Sequence, residues 1–199
     1  MKSINNYIFE KLIINKNTKI LYNYFPETID ELDDIVEDLI KERGNNADLN
    51  DIDVSKITDF SFLFLNSKFN GNISNWNVSN AKTMYKMFYN SKFNGDISKW
   101  DVSNVEEFNY MFSYSVFNQD ISKWNVSNAK DMKSMFSYSK FNKDISSWDI
   151  SNVKNMNWMF FNSKFNKDIS KWNVSNVTDM KYIFYNTPLE DKEKEWWNK

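Results

Sequence analysis

FNKDISSWDISNVKNMNWMFFNSK, residues Phe141–Lys164, is one period of a chain that matches itself when shifted by 24 residues. Trp76, Trp100, Trp124, Trp148 and Trp172 share one column, and Phe69, Phe93, Phe117, Phe141 and Phe165 share a second. Phe64, Phe88, Phe112, Phe136, Phe160 and Phe184 form a third, and no gap is needed between Phe69 and Thr187. A fixed period of this length is the mark of a repeat architecture, in which each unit is one coil and buries its apolar face only against its neighbours.

The two halves of the period read differently. In Ile97, Trp100 and Val102, the pattern I-x-x-W-x-V puts Trp and Val on one side of an extended chain. It predicts a very short strand at W-x-V, stacked on its equivalents in a parallel sheet about 4.8 Å apart. In Ser151, Asn152, Val153, Met156, Met159 and Phe160, apolar residues recur at steps of three and four. That spacing predicts about two turns of helix with Ser or Asn as the N-cap. The expected fold class is therefore α/β, with about six coils over residues 47–187.

The flanks do not repeat. Residues 1–46 read as a capping domain. Tyr7–Ile14 and Lys19–Phe25 are expected to form a hairpin. A helix with Thr28 as N-cap, Glu31 completing a capping box and Gly44 past its end should follow. Ile29, Leu32, Ile35, Val36, Leu39 and Ile40 form its apolar stripe, opposite an acidic face suited to a basic partner or simply to water. The repeat then enters in degenerate form, with Ile52 in the Trp column and Phe60, Leu63 and Phe64 in the columns of Met84, Met87 and Phe88. At the far end, Thr187, Pro188 and Glu190 announce a closing helix over residues 188–199, with Trp196 and Trp197 shielding the last coil.

Composition narrows the chemistry. The chain has 199 residues, a formal net charge of −2, no Cys and no His. There is thus no thiolate, no imidazole base and no Cys- or His-ligated metal, and Ser has no His partner. No Gly-rich phosphate loop occurs. One arginine and a negative total argue against direct nucleic-acid binding. The first residues contain no apolar run long enough for a signal peptide or a membrane span, so a cytoplasmic protein is expected, or a surface protein if a leader was removed.

FNxDISxWxVSNVxxMxxMF resembles the repeat of the BspA-like leucine-rich repeat proteins, over about Leu49 to Thr187. The resemblance implies a leucine-rich-repeat-like right-handed solenoid with a parallel sheet lining one face. It also implies a bacterial or phage origin and, for many members, a surface adhesin role. It carries no shared catalytic residues, so no enzyme activity and no cofactor are expected from it.

Two outward surfaces are candidates for a partner. One is the mixed-sign strip of Lys99, Asp101, Lys123, Asn125, Asp149, Lys171 and Asn173, which is also what any solvated sheet face looks like. A calcium ladder along its Asp and Asn oxygens is a further reading, though Gly-rich calcium turns are missing. The other surface is aromatic: Tyr85, Tyr89, Tyr110, Tyr114, Tyr138, Trp158, Phe161, Tyr182 and Tyr185 vary from coil to coil while the core columns barely change. Of these, Tyr85, Tyr110, Tyr114, Tyr138, Trp158 and Tyr182 join the strip as candidate partner-binding residues. The Trp and Met columns could be a stacking platform or a soft-metal site, but their strict period reads as core. The expected function is non-enzymatic binding of a protein partner, as monomer or homodimer and away from membranes, with blockage of the partner's site as the activity. One concrete form is a phage- or mobile-element-encoded inhibitor of a host enzyme, such as a CRISPR-type defence nuclease. The alternatives are the BspA-like surface role and calcium or small-ligand binding.

Overall fold

A computed structural model describes residues 21–192. The hairpin expected over Tyr7–Phe25 lies mostly outside them, as does most of the closing helix. Of the latter, the described part is a single 3-10 turn, Glu190–Lys192.

Helix α1 spans Ile29–Arg43. The Thr28 hydroxyl accepts from the Glu31 amide at 3.2 Å, and the Glu31 carboxylate accepts from the Glu27 amide at 2.9 Å, so one orphan amide of the first turn and the amide just before the cap are both satisfied. Gly44 ends the helix at φ 85°, where a side chain would be strained. Leu32, Ile35, Val36 and Leu39 are buried. Both terminal guanidinium nitrogens of Arg43 donate to Asp51, at 3.0 and 3.1 Å, and Nη1 also reaches the Asp48 carbonyl. That fork fastens the helix end to the first coil.

From Asp48 onward the chain coils with the expected 24-residue rise, but the coils are not built as the sequence suggests. The α/β solenoid with short strands and short helices is contradicted: among the described residues α1 is the sole α-helix, and there is no strand or sheet. W-x-V makes no ladder. The parallel pairing consists of isolated bridges, most of them in one column: Asp59, Thr83, Glu107, Asp131, Asn155 and Asp179.

The segment expected to be helical shows why. In a helix, the Met159 amide would bond four residues back. Here Met159 bonds Met156, three residues back, while Met156, Trp158 and Phe160 donate to Asp179, Lys181 and Ile183 of the next coil. Alternate amides therefore close local turns and stitch coils together. The turns need left-handed residues. Trp158 and Asn162 have φ of 59° and 52°, and the equivalents from Phe62 and Asn66 to Tyr182 and Asn186 match them. Left-handed backbone costs a non-glycine residue about 1–2 kcal/mol. The same residues recover it by donating across the coil boundary, as Lys86, Tyr110 and Ser134 do to Asn109, Lys133 and Asn157 at 2.8–3.0 Å. Steps of three and four arise from a run of three-residue turns as readily as from a helix.

The core is a set of aromatic files. Trp76, Trp100, Trp124, Trp148 and Trp172 are 3–4% exposed, and the Phe and Met columns are buried. Equivalent rings are nearly parallel, but their spacing varies around the coil. It is 6.4–6.5 Å in the Trp file and 6.2–6.3 Å in the Phe69 file. It falls to 5.4–6.0 Å in the Phe64 file and 4.4 Å between Tyr114 and Tyr138. The side stitched by backbone hydrogen bonds is the short side. A stack whose sides rise unequally bends toward the shorter one, so the Tyr114–Tyr138 face is concave.

Candidate functional site

The concave face is built from the left-handed turn residues, Tyr114 and Tyr138 among them, and from the column between their two positions. The amides of the left-handed residues donate to the next coil, and the large side chains project out while the serines stay buried. One column reads Lys86, Tyr110, Ser134, Trp158, Tyr182 and another Tyr89, Ser113, Ser137, Phe161, Tyr185. In each, serine in the middle coils is flanked by aromatic residues. The missing rings leave a groove of about 700 Å³, floored by Ser113, Ser134 and Ser137 and walled by tyrosines, Trp158 and Phe161.

The rings of the groove are ordered by one another. Tyr114 and Tyr138 stack at 4.4 Å, and Phe161 and Tyr185 at 5.0 Å. Tyr114, Tyr138, Trp158, Tyr182 and Tyr185 remain 39–54% exposed, a large aromatic area left open to a partner. Burial, with Tyr138 and Tyr89 beside it, pushes the Tyr114 hydroxyl above the usual phenol range, so it stays protonated at neutral pH. Where Ser134 replaces a ring, the Lys133 ammonium lies 5.9 Å from the Tyr110 ring and 5.5 Å from the Trp158 ring. The Ser113 hydroxyl on the floor is buried without a hydrogen-bond partner, and no lining residue carries a formal charge.

Of the candidate residues, Tyr110, Tyr114, Tyr138, Trp158 and Tyr182 come together in this groove. Tyr85 does not line it, but stands edge-on to Tyr110 at 6.2 Å. Lys99, Asp101, Lys123, Asn125, Asp149, Lys171 and Asn173 are all exposed on the other half of each coil, outside the groove. The acidic and amide members of that strip have a local task. Asp101, Asn125, Asp149 and Asn173 each accept, through Oδ1, from the backbone amide of the serine two residues on, at 3.0–3.2 Å. They shape turns and do not face outward from a sheet. Ser113, Ser134 and Ser137 were not singled out from sequence, although the break in two aromatic columns was the signal.

A family model described as "Mycoplasma protein of unknown function, DUF285" matches residues 33–140 and again 115–199. No curated protein and no solved structure matches the chain.

Proposed function

Since the chain belongs to the DUF285 family, whose description assigns no activity, we propose from its own geometry that it is a protein-binding module without a catalytic step. It works by covering a surface of its partner with the concave aromatic face; inhibition of an enzyme is one form such coverage takes. The observation that carries this reading is the open groove of Tyr and Trp side chains on a scaffold fixed by inter-coil hydrogen bonds. Exposed Tyr and Trp are the usual anchors of protein interfaces, and a rigid scaffold reduces the ordering cost of binding. The finer resemblance to BspA-like proteins would set the same groove at a cell surface, which fractionation of producing cells distinguishes.

The test fills the groove. Ser113→Tyr, Ser134→Tyr and Ser137→Phe together restore residue types that the same columns hold at Tyr89, Tyr110 and Phe161. A partner captured by the wild-type chain should be lost by this variant, with thermal unfolding unchanged. Retention of the same partner by the filled variant contradicts the reading.

A further inference from the structure

We propose that the groove takes a linear, acidic, proline-containing segment in polyproline II conformation, running along the stack. This rests on the protein-binding reading above and specifies its ligand.

Three observations converge on it. The first is spacing. Coils joined by parallel bridges rise about 4.8 Å, so two coils span about 9.6 Å. Three residues of polyproline II rise about 9.3 Å. Tyr110 and Trp158 stand two coils apart with Ser134 between them, so the slot they bound matches one turn of such a peptide. The slot is walled by π faces, with the Lys133 ammonium 5.9 and 5.5 Å from them, so a pyrrolidine ring enters it beside a cation that favours an acidic neighbour in the peptide.

The second observation is charge. The half-coils that carry the groove, residues 82–92 and their equivalents through 178–188, hold nine lysines against four acids. The intervening half-coils, 93–105 through 165–177, hold five lysines against six acids. On one margin Lys92 and Lys140 are exposed, two coils apart, and make no ion pair among the described residues. An acidic residue at every third peptide position would meet both, while the other two positions face the rings. The third is the floor. The tyrosine hydroxyls around it offer the hydrogen bonds that a polyproline II backbone leaves unmade within itself.

A peptide is favoured over single-stranded nucleic acid. The opposite margin carries Glu107, Asp131 and Asp179, which a backbone charged at every residue cannot avoid, whereas a peptide acidic at every third position turns those groups to the lysine margin. The sole arginine, Arg43, is committed to Asp51.

The experiment measures fluorescence anisotropy of labelled twelve-residue probes with the full chain: Pro-Pro-Glu repeats, Pro-Pro-Lys repeats, Gly-Ser-Glu repeats and a twelve-nucleotide oligo(dT). Pro-Pro-Glu should bind at least tenfold tighter than the others and weaken with salt. Ser134→Tyr should reduce its affinity tenfold or more. That variant folds by precedent, since Tyr110 and Tyr182 hold the same column at φ 57°. Lys140→Glu should lower affinity for Pro-Pro-Glu and raise it for Pro-Pro-Lys. Equal binding of the Gly-Ser-Glu or Pro-Pro-Lys probe, tighter binding of oligo(dT), no binding of Pro-Pro-Glu, or indifference to Ser134→Tyr each overturns the proposal. If the peptides fail while the groove-filled variant still loses its protein partner, the ligand assignment falls and the protein-binding reading stands.

Discussion

The indole Nε1 of Trp124 donates to the carbonyl oxygen of Ile97 at 3.1 Å, across a coil boundary. Trp76, Trp100, Trp148 and Trp172 make the same bond to Leu49, Ile73, Ile121 and Ile145. The Trp column is thus both core and cross-link on the wide side of the stack. Trp124→Ala should cost about 3–5 kcal/mol as a large-to-small core change. Trp124→Phe keeps most of the ring but removes one of the two bonds the Ile97 carbonyl accepts, the other coming from the Trp100 amide at 3.1 Å, and should cost about 0.5–1.5 kcal/mol beyond the small change in ring size. Denaturant unfolding of the two variants separates packing from hydrogen bonding.

Left-handed turns make a second, opposite expectation at Ser134, whose φ is 54° and whose side chain is buried. A β-branched residue is strained there, and Ser134→Val should lose about 1–2 kcal/mol. Ser134→Gly relieves the strain while adding backbone freedom to the unfolded chain, and should stay within about 1 kcal/mol of wild type. If instead the segment were helical, Gly would be clearly worse than Val, so the order of the two melting temperatures discriminates the structures.

The repeat is not equally tolerant in every coil. The column Gly71, Gly95, Gln119, Lys143, Lys167 suggests that any residue fits. A Cβ at Gly71, however, would lie 2.0 Å from the Ala47 carbonyl oxygen, where the first coil meets the cap. Gly71→Ala should destabilise the chain by about 1–3 kcal/mol, in the range of overpacking, whereas Lys143→Ala should be close to neutral. Thermal melts of the pair check this.

These elements show what could be read from sequence. The period, the burial of the Trp, Phe and Met columns, and α1 with its Thr28 cap follow from pattern alone, because each depends on which residues are apolar and how they are spaced. The secondary structure within the coil did not follow. Met156, Met159 and Phe160 satisfy helical spacing, and nothing in one sequence tells whether the Phe160 amide bonds backward or to Ile183 in the next coil. The groove escaped for a related reason. It is made by what Ser113, Ser134 and Ser137 lack, and a pattern read from aromatic residues names walls and misses floors.

Acid sensitivity follows from the turn aspartates. Asp96, Asp120 and Asp144 are held below the usual carboxylate range, chiefly because each accepts from the backbone amide of the serine two residues on. A carboxyl with a lowered folded-state pKa contributes fully above its unfolded value near 4, and that contribution is lost as pH falls through the lower folded value. Melting temperature should therefore be flat in this respect from pH 7 to about 5 and fall below about 4. Asn72 makes the same turn bond to Ser74 without a charge, at 3.1 Å. Replacing Asp96, Asp120 and Asp144 by Asn together should keep the fold and flatten the acid limb. An acid limb identical to wild type would show that these turns are not its source.

The most direct test of the central claim, that the serine-floored concave face is where a partner docks, is site-specific photo-crosslinking. A benzophenone amino acid is placed at Tyr138, in the groove, or at Lys123, on the exposed strip of the other half-coil. The partner should crosslink to position 138 and not to position 123. Crosslinking from position 123 alone, or equally from both, would contradict it.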